Sequence, residues 1–435
     1  MNSVLLTVFG PRSIILSCPP AGFGISDSVL KQIPGCEKTK LKPFFGGGSV
    51  LYDVVIVGGG PSGNNAALSL AQRGHDVLVL DWRTTLGDKL CTGIIGRDCM
   101  DRYPPLREHV FQPFGGGRLI TPSGKSYTVA KEAPQASVVD RVAYVRSFAE
   151  RAERNGATYR LGERVVDVIS EESCVVIRSR SEDGEVRYRA RAVVIASGFA
   201  SPLVRNAGLG LKVNGEYMVG CQTIVEASGV SEIEVHLGER VSPGSFGWLV
   251  PLPDSKALVG VASRKQPNGH MEAFVSSLQE HGKIRRVLNK TQRWGIPIQP
   301  IKRTLTERIL VVGDAAGLAK PTTGGGIYYA LLSGEIAAGV IDRALQVDDY
   351  STKMLEAYES EWKAILSMEI RVGYCARLIY ESLTDAQIER LCDAMLSSNI
   401  LNQLIHSDEV SFDWHAGLIR TVVGNQYLSR VLRSF

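Results

Sequence analysis

Apolar positions along the chain fall into two periods. Residues 53 to 57 and 76 to 80 are short β-branched runs of strand length. Between them apolar residues stand at Ala67, Leu68, Leu70 and Ala71 ahead of a glycine stop at Gly74, so the pattern predicts strand, helix, strand. Residues 192 to 205 give another strand ending at Ser197-Gly198, and residues 309 to 334 a strand, a turn at Gly313-Asp314 and an apolar helix opened by Gly324-Gly325-Gly326. Residues 158 to 191 read as three short strands turning at Glu171-Glu172 and Asp183-Gly184. Residues 215 to 263 are again strand-rich, with Phe246, Trp248 and Val250 on one face ahead of Pro251. After residue 345 helical spacing takes over, through 354 to 380 and 386 to 404. Residues 415 to 435 then set Leu418, Ile419, Val422, Val423, Leu428, Val431 and Leu432 beside Arg420, Arg430 and Arg433. That last segment reads as an amphipathic helix broken near Gly424-Asn425, packing on the protein or lying on a membrane surface.

Composition narrows the function classes. A chain of 435 residues suggests two to three domains, and its net charge, 49 minus 45 or +4, comes without a run of like charges, so no nucleic-acid partner is expected. Eight cysteines without a C-x-x-C pair write neither a zinc ribbon nor an iron-sulfur site. No metal is expected, and a reduced, cytoplasmic setting is the simplest reading. Nothing approaches the ~18 consecutive apolar residues of a membrane span, so membrane contact would be peripheral. Residues 1 to 50 lack the basic start of a secretory signal, and Pro11-Arg12 interrupts their apolar core. They read as a poorly ordered extension ending in Gly46-Gly47-Gly48-Ser49, or as an untranslated leader with the true start at Val50 or Leu51. Glycine is the outlier, at 45 residues, and clusters at 46 to 48, 58 to 63, 115 to 117 and 324 to 326.

The second cluster carries chemistry. Gly58, Gly60 and Gly63 form G-x-G-x-x-G between the first strand and its helix, where absent side chains permit a tight turn, close approach of a pyrophosphate and close helix packing. The helix N-terminus turns free N–H groups toward the phosphates. Asp81, at the end of the second strand and 18 residues after Gly63, can accept hydrogen bonds from a ribose diol. The motif by itself leaves FAD and NAD open.

Further segments decide between them by resemblance. With the N-terminal unit, ILVVGDAAGLAKPTTGGGIYYALLSG (309 to 334) and AVVIASGFASPLVR (192 to 205) resemble the FAD-binding segments of the para-hydroxybenzoate hydroxylase-like flavoproteins. KLCTGIIG (89 to 96), VDRVAYVRSFAERAERNGA (139 to 157) and GDAAGLAKPTTGGGIYYA (313 to 330) are similar to the geranylgeranyl reductase family, which saturates isoprenoid double bonds. The resemblance implies an α/β fold: a Rossmann-like FAD-binding domain interleaved with a mixed β-sheet substrate domain, plus C-terminal helices. The expected division is 51 to 210 for the first part of the FAD domain, with substrate-domain strands near 105 to 135. The substrate sheet then takes 211 to 300, the second FAD part 301 to 345, and a helical region 346 to 435.

Carried over by position, the resemblance puts Gly58, Gly60, Ser62 and Gly63 at the pyrophosphate and Asp81, where glutamate is more usual, at the adenosine ribose. Cys91 and Thr92 fall in a cysteine-containing loop beside the flavin, although its usual glycine run is reduced to Gly93. Arg141 starts a helix against FAD, the Val165 backbone meets the adenine, and Gly198 ends the returning strand. Asp314 takes a ribityl hydroxyl, and Gly326 and Ile327 open a helix whose N-terminus favours negative charge on reduced flavin. Without the resemblance, Arg141 would read as a surface partner of Asp140 and Cys91 as a small buried residue.

Residues 242 to 263 are similar to an aromatic-x-Trp-x-aromatic-Pro signature of the reductases' substrate sheet, with Phe246 and Val250 as departures, and also resemble a flavin halogenase segment. The expectation is an apolar tunnel lined by Phe246, Trp248, Tyr328 and Tyr329; on period alone these aromatics read as core. The implied activity is hydride delivery from reduced FAD to an isoprenoid or other lipid alkene, with Cys91 the candidate catalytic residue. There is no second strand-glycine-helix unit, so electrons would come from outside, from NAD(P)H or from a ferredoxin or similar donor protein. The rival readings are a flavin monooxygenase or halogenase, and a flavin electron-transfer or quinone-interacting protein.

Overall fold

The computed structural model of the protein describes residues 50–87, 91–210, 217–264, 267–397 and 411–425. The expectations for residues 1 to 49, for the end of the 386 to 404 helical pattern and for residues 426 to 435 lie outside the described residues.

Near-continuous apolar runs such as those at Leu51–Val57 and Val77–Asp81 belong to parallel strands covered on both faces, and Val54 to Val57 and the whole of Val77–Asp81 are buried. They join an eight-stranded sheet whose main order is Leu305–Thr306, Ile309–Val311, Gly184–Ile195, Leu51–Val57, Val77–Asp81, Thr158–Leu161. Leu51–Val57 runs parallel to both of its neighbours, and the chain proceeds from it to one side before returning to the other. That reversal makes a crevice at the carboxyl end of the central strand, the place where such sheets bind ligands. The helices Pro61–Ala71, Arg141–Arg154 and Ile327–Val347 cover the sheet, the first packing on each of the other two.

The sequence pattern predicts three short strands over 158 to 191 and a separate strand from 192, whereas Gly184–Ile195 is a single strand of 12 residues. Its first half pairs antiparallel with Val175–Ser181, and its second half continues into the parallel sheet against Leu51–Val57 and Ile309–Val311. Charged residues such as Arg187, Arg189 and Arg191 interrupt the hydrophobic run without interrupting the backbone ladder, and that makes one strand look like two.

A second eight-stranded sheet has the order Ile284–Val287, Tyr217–Ala227, Lys256–Ser263, Phe246–Leu252, Ile233–Leu237, Gly116–Ile120, Ser126–Ala130, with Gln292–Pro297 also on Tyr217–Ala227. The Pro267–Glu280 helix closes one face through Met271, Phe274 and Leu278 against Cys221, Leu249 and Val261. The opposite side holds Phe114, Met218, Trp248, Val250 and Ile296. The glycines at 115 to 117 gain a reason: a Cβ on Gly116 would run into the Val129 carbonyl, and one on Gly117 would stand 2.5 Å from the Ile233 carbonyl. Ile94–Gly96, Ala136–Val139 and Val110–Phe114 form a small third sheet. Thr352–Ser382, Asp385–Ser397 and Ala416–Gly424 are the C-terminal helices among the described residues, the last ending at Gly424, within the Gly424-Asn425 pair where the sequence suggests a break.

Candidate active site

A cavity of about 1290 Å³ opens at the carboxyl end of the central strand, and most of the residues singled out by sequence meet there. Gly58, Gly60, Ser62, Asp81, Cys91, Arg141, Val165, Gly198, Asp314, Gly326 and Ile327 all line it. Gly63 and Thr92 do not. Gly63 lies beneath the wall, where a Cβ would run into the Gly58 carbonyl and press on Ala196, so its bare backbone lets the helix sit against the strand. Thr92 has its hydroxyl 3.5 Å from the Ile94 N–H, which donates to it.

Two helix N-termini converge on this space. Pro61–Ala71 and Ile327–Val347 each begin after a glycine N-cap, with no side chain capping the free N–H groups and no acidic residue in the first turn. Uncapped N–H groups beside a cavity are anion-binding positions. Gly58 takes φ +110, and a Cβ there would stand close against the Ala196 carbonyl, so only glycine makes this turn. The two helices are also cross-linked, because Asn65 donates from its amide to the Leu331 carbonyl at 2.8 Å and Gly334 lets Ser62 approach.

Asp81 is 3% exposed and organises the turn. Its Oδ2 accepts from the Gly59 N–H at 2.7 Å and its Oδ1 from the Arg83 N–H at 2.8 Å. A carboxylate has about four lone-pair directions, so roughly two remain for a ligand hydroxyl. Arg141 does not pair with Asp140. Asp140 caps the Arg141–Arg154 helix by accepting from the Ala143 N–H at 3.0 Å, while the Arg141 guanidinium donates to the Gly87 carbonyl and borders the cavity. Asp314 occupies the Gly313–Ala315 turn at the opposite end, close to Gly326. Near Asp81, Trp82 stands with the guanidinium of Arg83 4.7 Å and that of Arg164 4.8 Å from its ring centre.

The expected tunnel is corrected. Ile327 and Ala330 face the cavity, and residues three apart share a helix face, so Tyr328 and Tyr329 turn away from it. Both are buried against Trp414, with ring centres 5.4 and 6.0 Å apart respectively. Phe246 and Trp248 pack in the second sheet with Trp294 and Met218 and do not line the cavity either. The apolar wall comes instead from Phe199 and from Trp294, Gly295 and Ile296 of the neighbouring edge strand; a Cβ on Gly295 would overlap the Phe199 ring. Trp248 has an indirect place: its Nε1 donates to Gln222 Oε1 at 3.0 Å, and Gln222 Nε2 donates to the Cys91 carbonyl at 3.3 Å. Gln222 is fully buried and was missed, although a glutamine inside the apolar run of Tyr217–Ala227 was the available signal. Cys91 is a half-buried residue that lines the cavity. Among the described residues, no cluster of three or more histidine, cysteine or carboxylate side chains suits a metal.

A glycine cradle, a ribose-ready acid, an arginine and two uncapped helix ends around one large space fit a dinucleotide with an electron-accepting ring at one end. Residues 53–297 match the model of the FAD dependent oxidoreductase family. The chain belongs to that family. It is a flavoenzyme related to digeranylgeranylglycerophospholipid reductases. It is 29% identical to the one from Methanocaldococcus jannaschii over 79% of this chain and 90% of the relative. The identity to reductase 1 of Methanopyrus kandleri is likewise 29%, over 83% and 98%. In fold it is similar to a geranylgeranyl bacteriochlorophyll reductase-like protein from Thermoplasma acidophilum, at TM-score 0.78 and 23% identity, covering 89% of this chain and 99% of the other. A flavin-dependent brominase shares the fold at TM-score 0.61 and 18% identity, covering 86% and 98%.

Proposed function

We propose that this enzyme reduces carbon–carbon double bonds of an isoprenoid lipid. The observation that carries the reading is the composition of the cavity: beside the glycine turns and helix ends, Phe199, Trp294 and Ile296 add an apolar surface suited to a prenyl chain. The reductases named above, which cover most of the chain, support the same substrate class.

Bound FAD supplies the two-electron chemistry. The uncapped N-terminus of Pro61–Ala71, with Gly58, Gly60 and Ser62, would hold its pyrophosphate, Asp81 its ribose hydroxyls, and Val165 and Gly198 would border the adenosine half. Asp314 and the start of Ile327–Val347 would face the ring system, where the helix N-terminus favours negative charge. The apolar wall excludes water and orients the alkene. Cys91, held in place through Gln222, is the side chain proposed to act on the proton side. Replacing Cys91 with alanine is expected to lower alkene reduction with FAD still bound, and full activity in that variant removes Cys91 from the mechanism.

Electrons are proposed to arrive from an external donor, NAD(P)H or a ferredoxin. Among the described residues no helix is long and apolar enough to cross a membrane, and the lipid would be met at its surface. The test is anaerobic: reduce the bound flavin, add a geranylgeranyl lipid, and follow flavin reoxidation together with product mass. Saturated product supports the proposal. Flavin that stays reduced with the lipid and is reoxidised only when oxygen is then admitted overturns it in favour of a monooxygenase or halogenase, and flavin reoxidised only when a quinone is added overturns it in favour of an electron-transfer protein.

A further inference from the structure

The loop from 318 to 326 reaches the cavity with its last residues, Gly324 and Gly326, and is held from behind by the long Thr352–Ser382 helix. Arg377 of that helix is 4% exposed and joins two parts of the molecule. Its Nε donates to the Pro321 carbonyl, in the loop, at 2.5 Å. Its Nη1 donates to the Gly244 carbonyl at 3.3 Å and its Nη2 to Ser245 Oγ at 3.3 Å, in the turn that leads into Phe246–Leu252 of the second sheet. Glu381, one turn on, accepts from Nη1 at 3.0 Å and offsets the buried charge.

The neighbours strengthen the brace. Tyr380 donates from its hydroxyl to the Ser245 carbonyl at 2.9 Å, and Pro321 and Thr322 lie against the helix at Gly373. Inside the protein, Ser245 Oγ donates to Met218 Sδ at 3.9 Å, and Met218 and Ile296 pack at Gly324, whose φ is +74. A closed ring therefore runs from Arg377 through Ser245, Met218 and Gly324 back to Pro321. Ile296 and Gly324 both line the cavity, from the sheet side and the loop side. The loop's other buried anchor, Lys320, donates to Asp413 Oδ1 at 3.2 Å and to the Phe412 carbonyl at 2.8 Å. That pair fixes the loop to the C-terminal segment and does not reach the second sheet.

We infer that Arg377 is a positioning residue that sets how the glycine loop seats on the sheet wall where both border the cavity. A planar guanidinium with five fixed donors can span two carbonyls, a hydroxyl and a carboxylate at set angles, and an ammonium cannot. Only the last step, that this seating governs transfer to an alkene, rests on the proposed function.

The test compares holoenzymes carrying Arg377→Lys, Arg377→Met and Leu355→Ala. Leu355 is fully buried in the same helix, far along it from Arg377, and its truncation supplies a matched loss of stability. The measurements are the FAD dissociation constant, the visible circular dichroism of the bound flavin, the melting temperature, and anaerobic reoxidation by a digeranylgeranylglycerophospholipid. Both Arg377 variants are expected to keep FAD affinity within roughly threefold, alter the flavin dichroism and slow reoxidation by about ten- to a hundredfold, the scale of a ~1 Å misplacement. Leu355→Ala is expected to lower the melting temperature with neither effect. Dichroism that is unchanged in both Arg377 variants, or that changes in all three in proportion to melting temperature, overturns the inference. If Arg377→Met does not fold, Arg377→Lys decides. Should the wild-type enzyme leave the lipid unreduced, the proposed function fails and the dichroism comparison still decides this inference.

Discussion

Asp81 is expected to have two separable roles, and two substitutions divide them. In the free protein its carboxylate already accepts from the Gly59 and Arg83 N–H groups. Gly59 is buried, so Asp81→Ala leaves a buried donor without a partner and removes a charge-assisted bond. Such bonds contribute about 1.5–3 kcal/mol each, and the Arg83 N–H, nearer solvent, recovers part of its loss from water. The expected destabilisation of apo-protein is therefore about 2–3 kcal/mol. Asp81→Asn keeps one oxygen for Gly59 and loses the charge and the lone pairs a ribose diol would use. Its apo stability is expected to fall by about 1 kcal/mol or less, while FAD affinity falls roughly 10- to 100-fold, the equivalent of one charge-assisted bond. Urea unfolding of the apo-proteins and titration by flavin fluorescence quenching measure the two effects independently. The reasoning is refuted if Asp81→Asn binds FAD within twofold of wild type, or if apo Asp81→Ala unfolds at the wild-type midpoint.

Two further outcomes follow from the same geometry and from a charge cluster elsewhere. Gly63→Ala drives a Cβ into the Gly58 carbonyl and is expected to give flavin-free or insoluble protein; a Cβ on Gly60 meets nothing within 4 Å, so Gly60→Ala should fold normally and lose FAD affinity. Soluble, flavin-loaded Gly63→Ala contradicts this. Glu234, 1% exposed, is pushed up by burial, but hydrogen bonds from His236 and Lys283 outweigh that and hold its carboxyl down at about 2. A depressed folded-state value means stability that is complete above pH ~4.5 and lost as pH falls toward 2, on the order of 3 kcal/mol in all. Urea midpoints of Glu234→Gln between pH 6 and pH 3 should therefore fall less steeply than wild type, and parallel curves would refute the assignment.

The strand-helix-strand unit could be read from sequence because period, glycine spacing and the terminal acid are local and mutually consistent. The Gly58 turn, the Asp81 strand end and the Ile327–Val347 helix each follow from residues within one element or its flanks. The aromatic residues show where that reading stops. Tyr328 and Tyr329 sit in a segment that does border the cavity, but Ile327 and Ala330 take the inward face, and the tyrosines meet Trp414, 86 and 85 residues later. Local pattern says that a face is apolar and does not say what it packs against.

The polar anchors carry the same point further. Gln222 reaches Cys91 across 131 residues, Lys320 reaches Asp413 across 93, and Arg377 reaches Gly244 across 133. Each is a buried polar side chain in an otherwise apolar setting, and burial without a partner would cost about 1–3 kcal/mol or more for a charge. Such a residue therefore announces a distant partner without naming it. In this chain all three partners sit in segments that border the cavity or lock its walls. The residues that place the chemistry are thus found by asking where buried polar groups find their hydrogen bonds, and the residues that touch the cofactor by glycine spacing and helix ends.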